Sequence, residues 1–475
     1  MKNKIGIIGV GNVGLTILYN LFLTYQNLDI ILIDSDKDKL VGNIIDLNHS
    51  LPNNQNKISV GEYNDIDDLD VIIISAGIKS TLGRNLFLQK SHLMIQDIMN
   101  NILKTKFNGN IIVVSNPNDV LTTYVAKRYQ KDKVLGTGTL IDTNRLKYLL
   151  MNEYHLESDD IWVVGEHGLE QVILWDDIKL NLSETVKTEI SEEVKNIAYK
   201  IVSLKGYTNF AVASCVSIIM GLLIKNKDLY LPFSSYDEDN GIAYSYLSKI
   251  ENGIVVRKKI NPNAKKLLLA CIKKIKHEYL IFEQDIKIGI DLDDTITFIK
   301  DQMDEQAKKF DESINGHGII DKSKYLVGEQ YGWSNELKEK FFKTYRLDIV
   351  ENAKIRSDVI EVLKKLIDYG YQIIIITARN SKYYIDPYLY TKNWLDVNGI
   401  PYTKLIVNAE SKKEVCLQES ISVFLDDMPE NCLEVSKING ISVYIMHNEN
   451  NFCESNKIKR INNFQEFFRE VTWKK

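Results

Sequence analysis

Cysteine is scarce. Cys215, Cys271, Cys416, Cys432 and Cys453 lie far apart and form no CxxC pair, so neither a zinc site nor a disulfide framework is indicated and reduced thiols are expected. A basic excess is also missing: 59 Lys and Arg stand against 64 Asp and Glu, a formal net charge of -5. Nothing is left over to hold a phosphate backbone, which sets nucleic acid aside as a partner. No run of eighteen apolar residues occurs, so no membrane span is read. The N-terminus runs directly into the apolar stretch Ile5-Gly6-Ile7-Ile8, too short for a signal peptide and without a small-residue cleavage site. The cytoplasm is therefore the expected compartment. Low-complexity stretches and short-period repeats are lacking too.

What remains is a chain of 475 residues, 44% apolar and 26% charged, long enough for two or three domains with their own cores. Two segments, starting near Lys4 and near Asp285, open alike: a β-branched run, a chemically special turn, then a stretch of helical period. In the first, strands over 4–9, 30–34, 71–75 and 111–115 alternate with helix-length intervals, the pattern of a parallel sheet. The second repeats it with strands over 287–290, 372–377 and 422–425. Between them, residues 264–282 place leucines and isoleucines on one helical face and lysines on the other. The expected class is α/β throughout, with a boundary around Gln284.

Gly9-Val10-Gly11-Asn12-Val13-Gly14 follows the first strand and opens a helix. Missing side chains there let backbone N–H groups and a helix N-terminus approach a pyrophosphate. Asp34 closes the next strand at the spacing such sites use, about 20 residues on, where a carboxylate meets ribose hydroxyls and repels a 2′-phosphate. NAD is thus expected rather than NADP.

Further on stand Ser115-Asn116-Pro117-Asn118-Asp119, Gly136 to Arg145 (GTGTLIDTNR) and Gly165-Glu166-His167-Gly168. In the order and spacing of these motifs the first 285 residues or so resemble the L-lactate and malate dehydrogenase family. The resemblance implies cofactor contacts from Gly9, Gly11, Asn12, Val13, Gly14, Asp34, Ala76, Gly77 and Asn116. Reduction of a 2-oxo acid needs a proton donor beside the carbonyl, and a histidine paired with a carboxylate supplies one near neutral pH. The family pattern implies that His167 is this donor and that Asp142 orients it. A substrate carboxylate calls for a planar, two-pronged cation, and Arg145 matches the family's anchoring arginine, with Asn116 as a further substrate contact.

Charge developing on the carbonyl oxygen asks for another cation on a closing loop. Arg84, at the end of residues 76–84 (AGIKSTLGR), is the candidate, in a loop shorter than the family pattern and without its proline-glycine element. Lys79 is that loop's other cation. No early arginine awaits a second carboxylate, so a monocarboxylate is preferred. Residues 205–211 (KGYTNFA) look like the substrate wall of lactate and L-2-hydroxyisocaproate dehydrogenases, with Thr208 lining the pocket. The other six histidines lack a second ligand at metal spacing.

The second segment carries Asp291-Leu292-Asp293-Asp294-Thr295 at a strand end, an acidic cluster costly to bury without a cation or phosphate chemistry. Ile376-Thr377-Ala378-Arg379, then Lys412-Lys413, then Asp426-Asp427-Met428-Pro429-Glu430-Asn431 follow in order. This set resembles the haloacid dehalogenase superfamily, closest to its 5′(3′)-deoxyribonucleotidase-like members. The resemblance implies that Asp291 attacks phosphorus and Asp293 serves as acid and base. Thr377 and one of Lys412 and Lys413 would hold the phosphoryl group. It implies Mg²⁺ on Asp291, the backbone carbonyl of Asp293, Asp426 and Asp427. An insertion over about 296–357 would form a small helical cap, and ordinary packing is the expected use of most of its aromatics, Phe310, Tyr325, Tyr331, Trp333, Phe341, Phe342 and Tyr345.

The expected organisation is an NAD-binding Rossmann domain (1–145), a dehydrogenase substrate domain (146–284) and a haloacid dehalogenase-like phosphatase domain (285–475). The expected protein is a bifunctional enzyme acting on small molecules, and the first resemblance implies a homodimer or homotetramer. The alternative is an active dehydrogenase with a non-catalytic C-terminal binding or assembly module.

Overall fold

In the computed structural model, residues 3–78, 83–156, 160–178, 182–225, 228–324, 326–448, 451–453 and 455–472 are described. Lys79 and Tyr325 lie outside them. The chain divides into two units, Met1–Ile78 with Ser91–Phe282, and Lys79–Lys90 with Glu283–Lys475.

The first unit is built on β1 (Asn3–Ile8), β2 (Leu28–Ile33), β3 (Lys57–Val60), β4 (Val71–Ile74), β5 (Asn110–Val113) and β6 (Val134–Gly136). They pair in the order β3-β2-β1-β4-β5-β6, all parallel. Ile, Val and Leu fill the inner strands because both faces are covered, as parallel sheets require, while the edge strand β3 leaves Lys57 and Ser59 exposed. The connecting helices are α1 (Asn12–Thr24), α2 (Lys37–Ser50), α3 (Arg84–Ile102) and α4 (Asn118–Arg128). One core holds Ile5, Ile7, Leu18, Leu21, Ile30 and Ile73.

After α5 (Leu140–Glu153), the hairpin β7 (Val163–Gly165) and β8 (Gln171–Ile173), α6 (Glu184–Lys205) and α7 (Phe210–Lys225), the chain returns to the same sheet. There β9 (Leu231–Asp237), β10 (Ile242–Glu251) and β11 (Ile254–Arg257) extend it by antiparallel pairing, β9 on β6 and β10 on β7. The sequence reading separates a domain at residue 146; the backbone carries one continuous sheet across that point. Helix α8 (Pro262–Phe282) ends the unit, its apolar stripe Leu268, Cys271, Ile272, Ile275 buried.

The second unit centres on β12 (Lys287–Ile290). Two short strands, β13 (Thr297–Phe298) and β14 (Lys354–Ile355), pair antiparallel, and between them run α9 (Lys300–Ser313), α10 (Val327–Gln330) and α11 (Asn335–Glu351). This helical insertion has its own core of Phe310, Tyr331, Trp333 and Phe341. Then come α12 (Val359–Asp368), β15 (Gln372–Ile376), α13 (Pro387–Val397), β16 (Lys404–Ile406), α14 (Lys412–Gln418), β17 (Val423–Asp426), α15 (Pro429–Val435), β18 (Ser442–Met446), β19 (Ile458–Ile461) and α16 (Phe464–Val471). The sheet is parallel in the order β16-β15-β12-β17-β18-β19. Neighbours β15, β12 and β17 all end at the same edge, which gathers Thr377, Asp291 and Asp426 at their carboxyl ends. Ligands of open α/β sheets bind at that edge.

Residues 83–90 belong to this second unit. Asn85 N–H donates to Gly440 O at 3.1 Å. Gln89 Nε2 donates to Asp285 O at 3.2 Å and Lys90 Nζ to Glu470 O at 2.9 Å. A side chain at Gly83 would meet the Gly440 carbonyl at 2.5 Å. The sequence reading places this segment wholly in the N-terminal half; Leu86 and Leu88 are buried, and nothing local in the sequence says which sheet covers them.

Among the described residues no helix is long and apolar enough to cross a membrane.

Candidate active sites

Gly9 and Gly14 shape the first turn. Gly9 has φ +85°, and a Cβ there would lie 2.3 Å from the Ala76 backbone; one at Gly14 would lie 2.2 Å from Gly9 O. Only glycine permits this closeness. Ser75 Oγ ties the turn to β4 by donating to Gly9 O at 2.7 Å. Gly11 caps α1 without a side-chain hydrogen bond, and the first turn contains no acid. The helix N-terminus therefore presents unpaired N–H groups and no competing charge. Around Gly11 and around Gly77 the space is open, while Asn12 is exposed and Val13 half-buried. Asp34, half-buried at the end of β2, accepts from Val10 N–H at 2.6 Å through Oδ2, and Asp36 N–H reaches its Oδ1 at 3.2 Å. An uncapped helix start beside open glycines and a strand-end carboxylate fits NAD. Ala76 is half-buried and Asn116 exposed, on the loops that follow β4 and β5.

The chemistry-bearing groups lie where α5 meets β7. Asp142, in the first turn of α5, is buried, and its Oδ2 sits 2.7 Å from His167 Nδ1. Its Oδ1 accepts from Arg145 Nη1 at 2.8 Å. One carboxylate thus serves the histidine and the arginine together. Burial alone would lower the His167 pKa, but the Asp142 charge and hydrogen bond outweigh it and hold the imidazole above its ordinary value. Burial alone would raise Asp142; His167 and Arg145 reverse this and its pKa is lowered.

A second buried acid, unread from the sequence, positions the same turn. Asp119 of α4 accepts the His167 backbone N–H at 2.8 Å and Ser234 Oγ at 2.6 Å. Burial pushes it up to about 7 against those two hydrogen bonds. The motif containing Asp119 is visible in the sequence, but its partner lies 48 residues on. Thr208 is half-buried before α7. Arg84 is not brought to this group by any described contact: it starts α3 within the segment of the second unit, with its guanidinium 5.5 Å from the Phe87 ring.

A parallel dinucleotide-binding sheet, continued by antiparallel strands that seat a histidine–aspartate pair, is the architecture of an NAD-dependent dehydrogenase. The family model for the lactate/malate dehydrogenase NAD binding domain matches residues 3–136. L-lactate dehydrogenase of Borrelia hermsii is 33% identical over 258 residues, 50% of this chain and 81% of its own length. That of Clostridium perfringens is 34% identical over 268 residues, 52% of this chain and 84% of its own length. A crystallised lactate dehydrogenase from a Medee basin deep-sea metagenome library shares 26% identity with a TM-score of 0.55, covering 60% of this chain and 100% of that one. The minor L-lactate dehydrogenase of Enterococcus mundtii, at 24% identity and a TM-score of 0.55 over 58% of this chain and 98% of its own, shows the same fold. The chain belongs to the lactate/malate dehydrogenase family, and residues 3–136 are its NAD-binding domain.

The second unit has its own acidic centre. Oxygen atoms of Asp291, Asp426 and Asp427, all buried, lie within 4.8 Å of one another. Lys412, itself buried at the start of α14, places Nζ 2.5 Å from Asp291 Oδ1 and also donates to Ile376 O. Lys413 is half-buried and no described contact takes it to the cluster. Thr295 Oγ1 donates to Asp427 Oδ1 at 2.9 Å, while Met428 N–H and Asn431 Nδ2 hold the two oxygens of Asp426 at 2.8 and 3.1 Å. Burial, then the neighbouring Asp291, push Asp426 up to about 7, and burial raises Asp291 despite Lys412. Three crowded carboxylates against one ammonium form a donor set that a hard divalent cation balances, and all are oxygens, so Mg²⁺ fits.

The Asp293 carboxylate turns away from that cluster. Arg379 grips it with Nη2 at 2.6 Å and Nε at 3.1 Å, and Arg346, from α11 of the insertion, adds Nη2 at 3.1 Å. Burial would raise this acid, yet the two guanidinium groups draw it down to about 2. Thr377 is buried beside them, its Oγ1 accepting from Arg379 N–H. The cavity over these residues has a volume of about 450 Å³ and is walled by Ile299, Met303, Val327 and Phe342. Of the insertion's aromatics, Phe310, Tyr331, Trp333, Phe341 and Tyr345 pack on one another, and Phe342 reaches the cavity.

Proposed function

We propose that the chain is a bifunctional enzyme: an NAD-dependent L-2-hydroxyacid dehydrogenase and a Mg²⁺-dependent phosphomonoester hydrolase. For the first activity the supporting observation is the Asp142 carboxylate shared by His167 and Arg145. NAD, when bound, exchanges the hydride. His167, kept protonated by Asp142, gives its proton to the carbonyl oxygen of a 2-oxo acid and takes it back in the reverse direction. Arg145 holds the substrate carboxylate with N–H groups that Asp142 does not use. Thr208 and Asn116 line the substrate. A monocarboxylate is the expected substrate, because no early arginine precedes Arg84 in its loop. NADH oxidation with a panel of 2-oxo acids tests this reading; binding of NADH without turnover of any of them contradicts it.

For the second activity the supporting observation is the cluster Asp291, Asp426 and Asp427 at the strand ends. Mg²⁺, when bound there, supplies positive charge to the phosphoryl oxygens. Asp291 attacks phosphorus, the ester P–O bond breaks, and water then hydrolyses the aspartyl-phosphate. Lys412 and Thr377 hold the phosphoryl oxygens, and Asp293 moves the proton. Release of phosphate from an aryl phosphate, lost in Asp291→Asn, is the expected result. No release by the native chain favours the binding-module reading. A homo-oligomer in the cytoplasm belongs to the same proposal, on the family resemblance.

A further inference from the structure

Two arginines converge on one carboxylate in the second unit, and neither is saturated by it. Arg379 is 2% exposed, and its Nη1 is buried with no hydrogen-bond partner. Arg346 gives Nη2 to Asp293 and Nε to Tyr384 Oη at 3.2 Å, and no described contact uses its Nη1. Both residues line the cavity. Arg379 Nη1 is therefore a buried donor left unused in the wall of the cavity, where an unmet polar group is costly.

Their position matters as much as their charge. In the phosphatase reading, Asp291 receives phosphorus and Asp293 stands at the departing ester oxygen. A cation beside Asp293 is thus placed for the substrate's body, not for its transferred phosphoryl group, which Lys412 and Thr377 already serve. The planar, forked guanidinium matches a carboxylate, and Asp293 itself shows that a carboxylate fits between the two.

We propose that Arg346 and Arg379 form a carboxylate subsite and that the second unit hydrolyses phosphate esters of 2-hydroxy acids. This inference rests on the phosphatase reading above. An oxygen of Asp291 bonds to phosphorus as the ester P–O bond breaks and the departing oxygen takes a proton from Asp293; water then gives a proton back to Asp293, attacks phosphorus and restores Asp291 as phosphate leaves. The products are a free 2-hydroxy acid and inorganic phosphate. A 2-hydroxy acid is also the class of compound proposed for the first unit, so one activity would supply what the other oxidises.

The test compares 2-phosphoglycolate with ethyl phosphate, which differ in the carboxylate alone, on the full-length protein with Mg²⁺. Sites built for a polar group reject analogues lacking it strongly, and about 10⁴-fold in kcat/KM is expected here. In Arg346→Met the ratio is expected to fall towards one, with partial recovery in Arg346→Lys. A native ratio near one, or a preference for 1,2-ethanediol bisphosphate over 2-phosphoglycolate, overturns the carboxylate subsite while leaving the phosphatase standing. If p-nitrophenyl phosphate and both esters all resist hydrolysis, the phosphatase reading itself falls. Unchanged discrimination in Arg346→Met, in a variant with native circular dichroism, also overturns the proposal.

Discussion

His167 Nδ1 lies 2.7 Å from Asp142 Oδ2, and the other oxygen of that buried carboxylate holds Arg145 Nη1 at 2.8 Å. The proposed proton donor and the proposed substrate anchor are therefore oriented by a single side chain from the first turn of α5. Loss of that side chain's charge disturbs both. Asp142→Asn is expected to slow the turnover of 2-oxo acids by about 10³–10⁴-fold, the scale seen when a histidine's orienting aspartate is neutralised. Native-like activity in this variant excludes the pairing as functional.

The sign of the pH dependence follows from the same contact. The His167 pKa is raised, Asp142 overcoming the effect of burial, so the protonated donor persists above the ordinary imidazole value of about 6.5. Reduction measured as kcat/KM should hold at lower pH and fall tenfold per pH unit beyond the raised pKa. In Asp142→Asn the falling limb should move to lower pH. The raised pKa also links to stability: this contribution is complete below the unfolded value and is lost as pH rises through the folded one.

Gly14→Ala tests the dinucleotide turn. The added Cβ would stand 2.2 Å from Gly9 O, which is backbone and has little room to yield. Overpacking of this kind costs about 1–3 kcal/mol, and NADH affinity measured by fluorescence titration should fall about tenfold or more. Gly11→Ala meets no atom within 4 Å in the protein, so any loss of NADH binding there reports contact with the cofactor itself.

Much of this was legible because the signals are local. The run Ile5 to Ile8 with its glycines, Asp34 at the next strand end, and Asp291 to Thr295 after Ile290 each combine an element and its chemistry within a few residues. Lys412 was separable from Lys413 only by helix phase: one turns into the cluster and its neighbour does not. Arg346 was not legible, since it lies 53 residues beyond Asp293 on a helix with no motif of its own. The place of residues 83–90 was equally hidden, because no motif in the segment names the partners of the buried Leu86 and Leu88.

That segment yields a stability prediction. Since Lys79–Lys90 is part of the second unit, cutting the chain after Phe282 removes what Leu86 and Leu88, both fully buried, pack within. Each such leucine contributes about 1.5–3 kcal/mol when buried. A chain of residues 1–282 is expected to melt well below the dehydrogenase transition of the full protein and to expose residues 83–90 to protease. An unchanged melting temperature contradicts this.

The acidic cluster predicts a metal-dependent stability. The Asp426 pKa is raised to about 7 by burial and by Asp291, so between the ordinary carboxylate range and about 7 the folded state holds the extra proton. Without metal, stability of the second unit should fall as pH rises through that window. Calorimetry at pH 7.5 should show its transition rise on addition of Mg²⁺, and rise less in Asp426→Asn. A transition indifferent to Mg²⁺ at pH 7.5 argues against a cation on these three residues.

On the reading proposed above, one chain carries two separate chemistries. The most direct test is a cross-inactivation assay, NADH oxidation with 2-oxo acids and Mg²⁺-dependent phosphate release followed on the same preparations of native protein, His167→Asn and Asp291→Asn. Each variant is expected to lose one activity by at least about 10³-fold and to keep the other. Retention of both activities in either variant, or absence of both in the native protein, would contradict that reading.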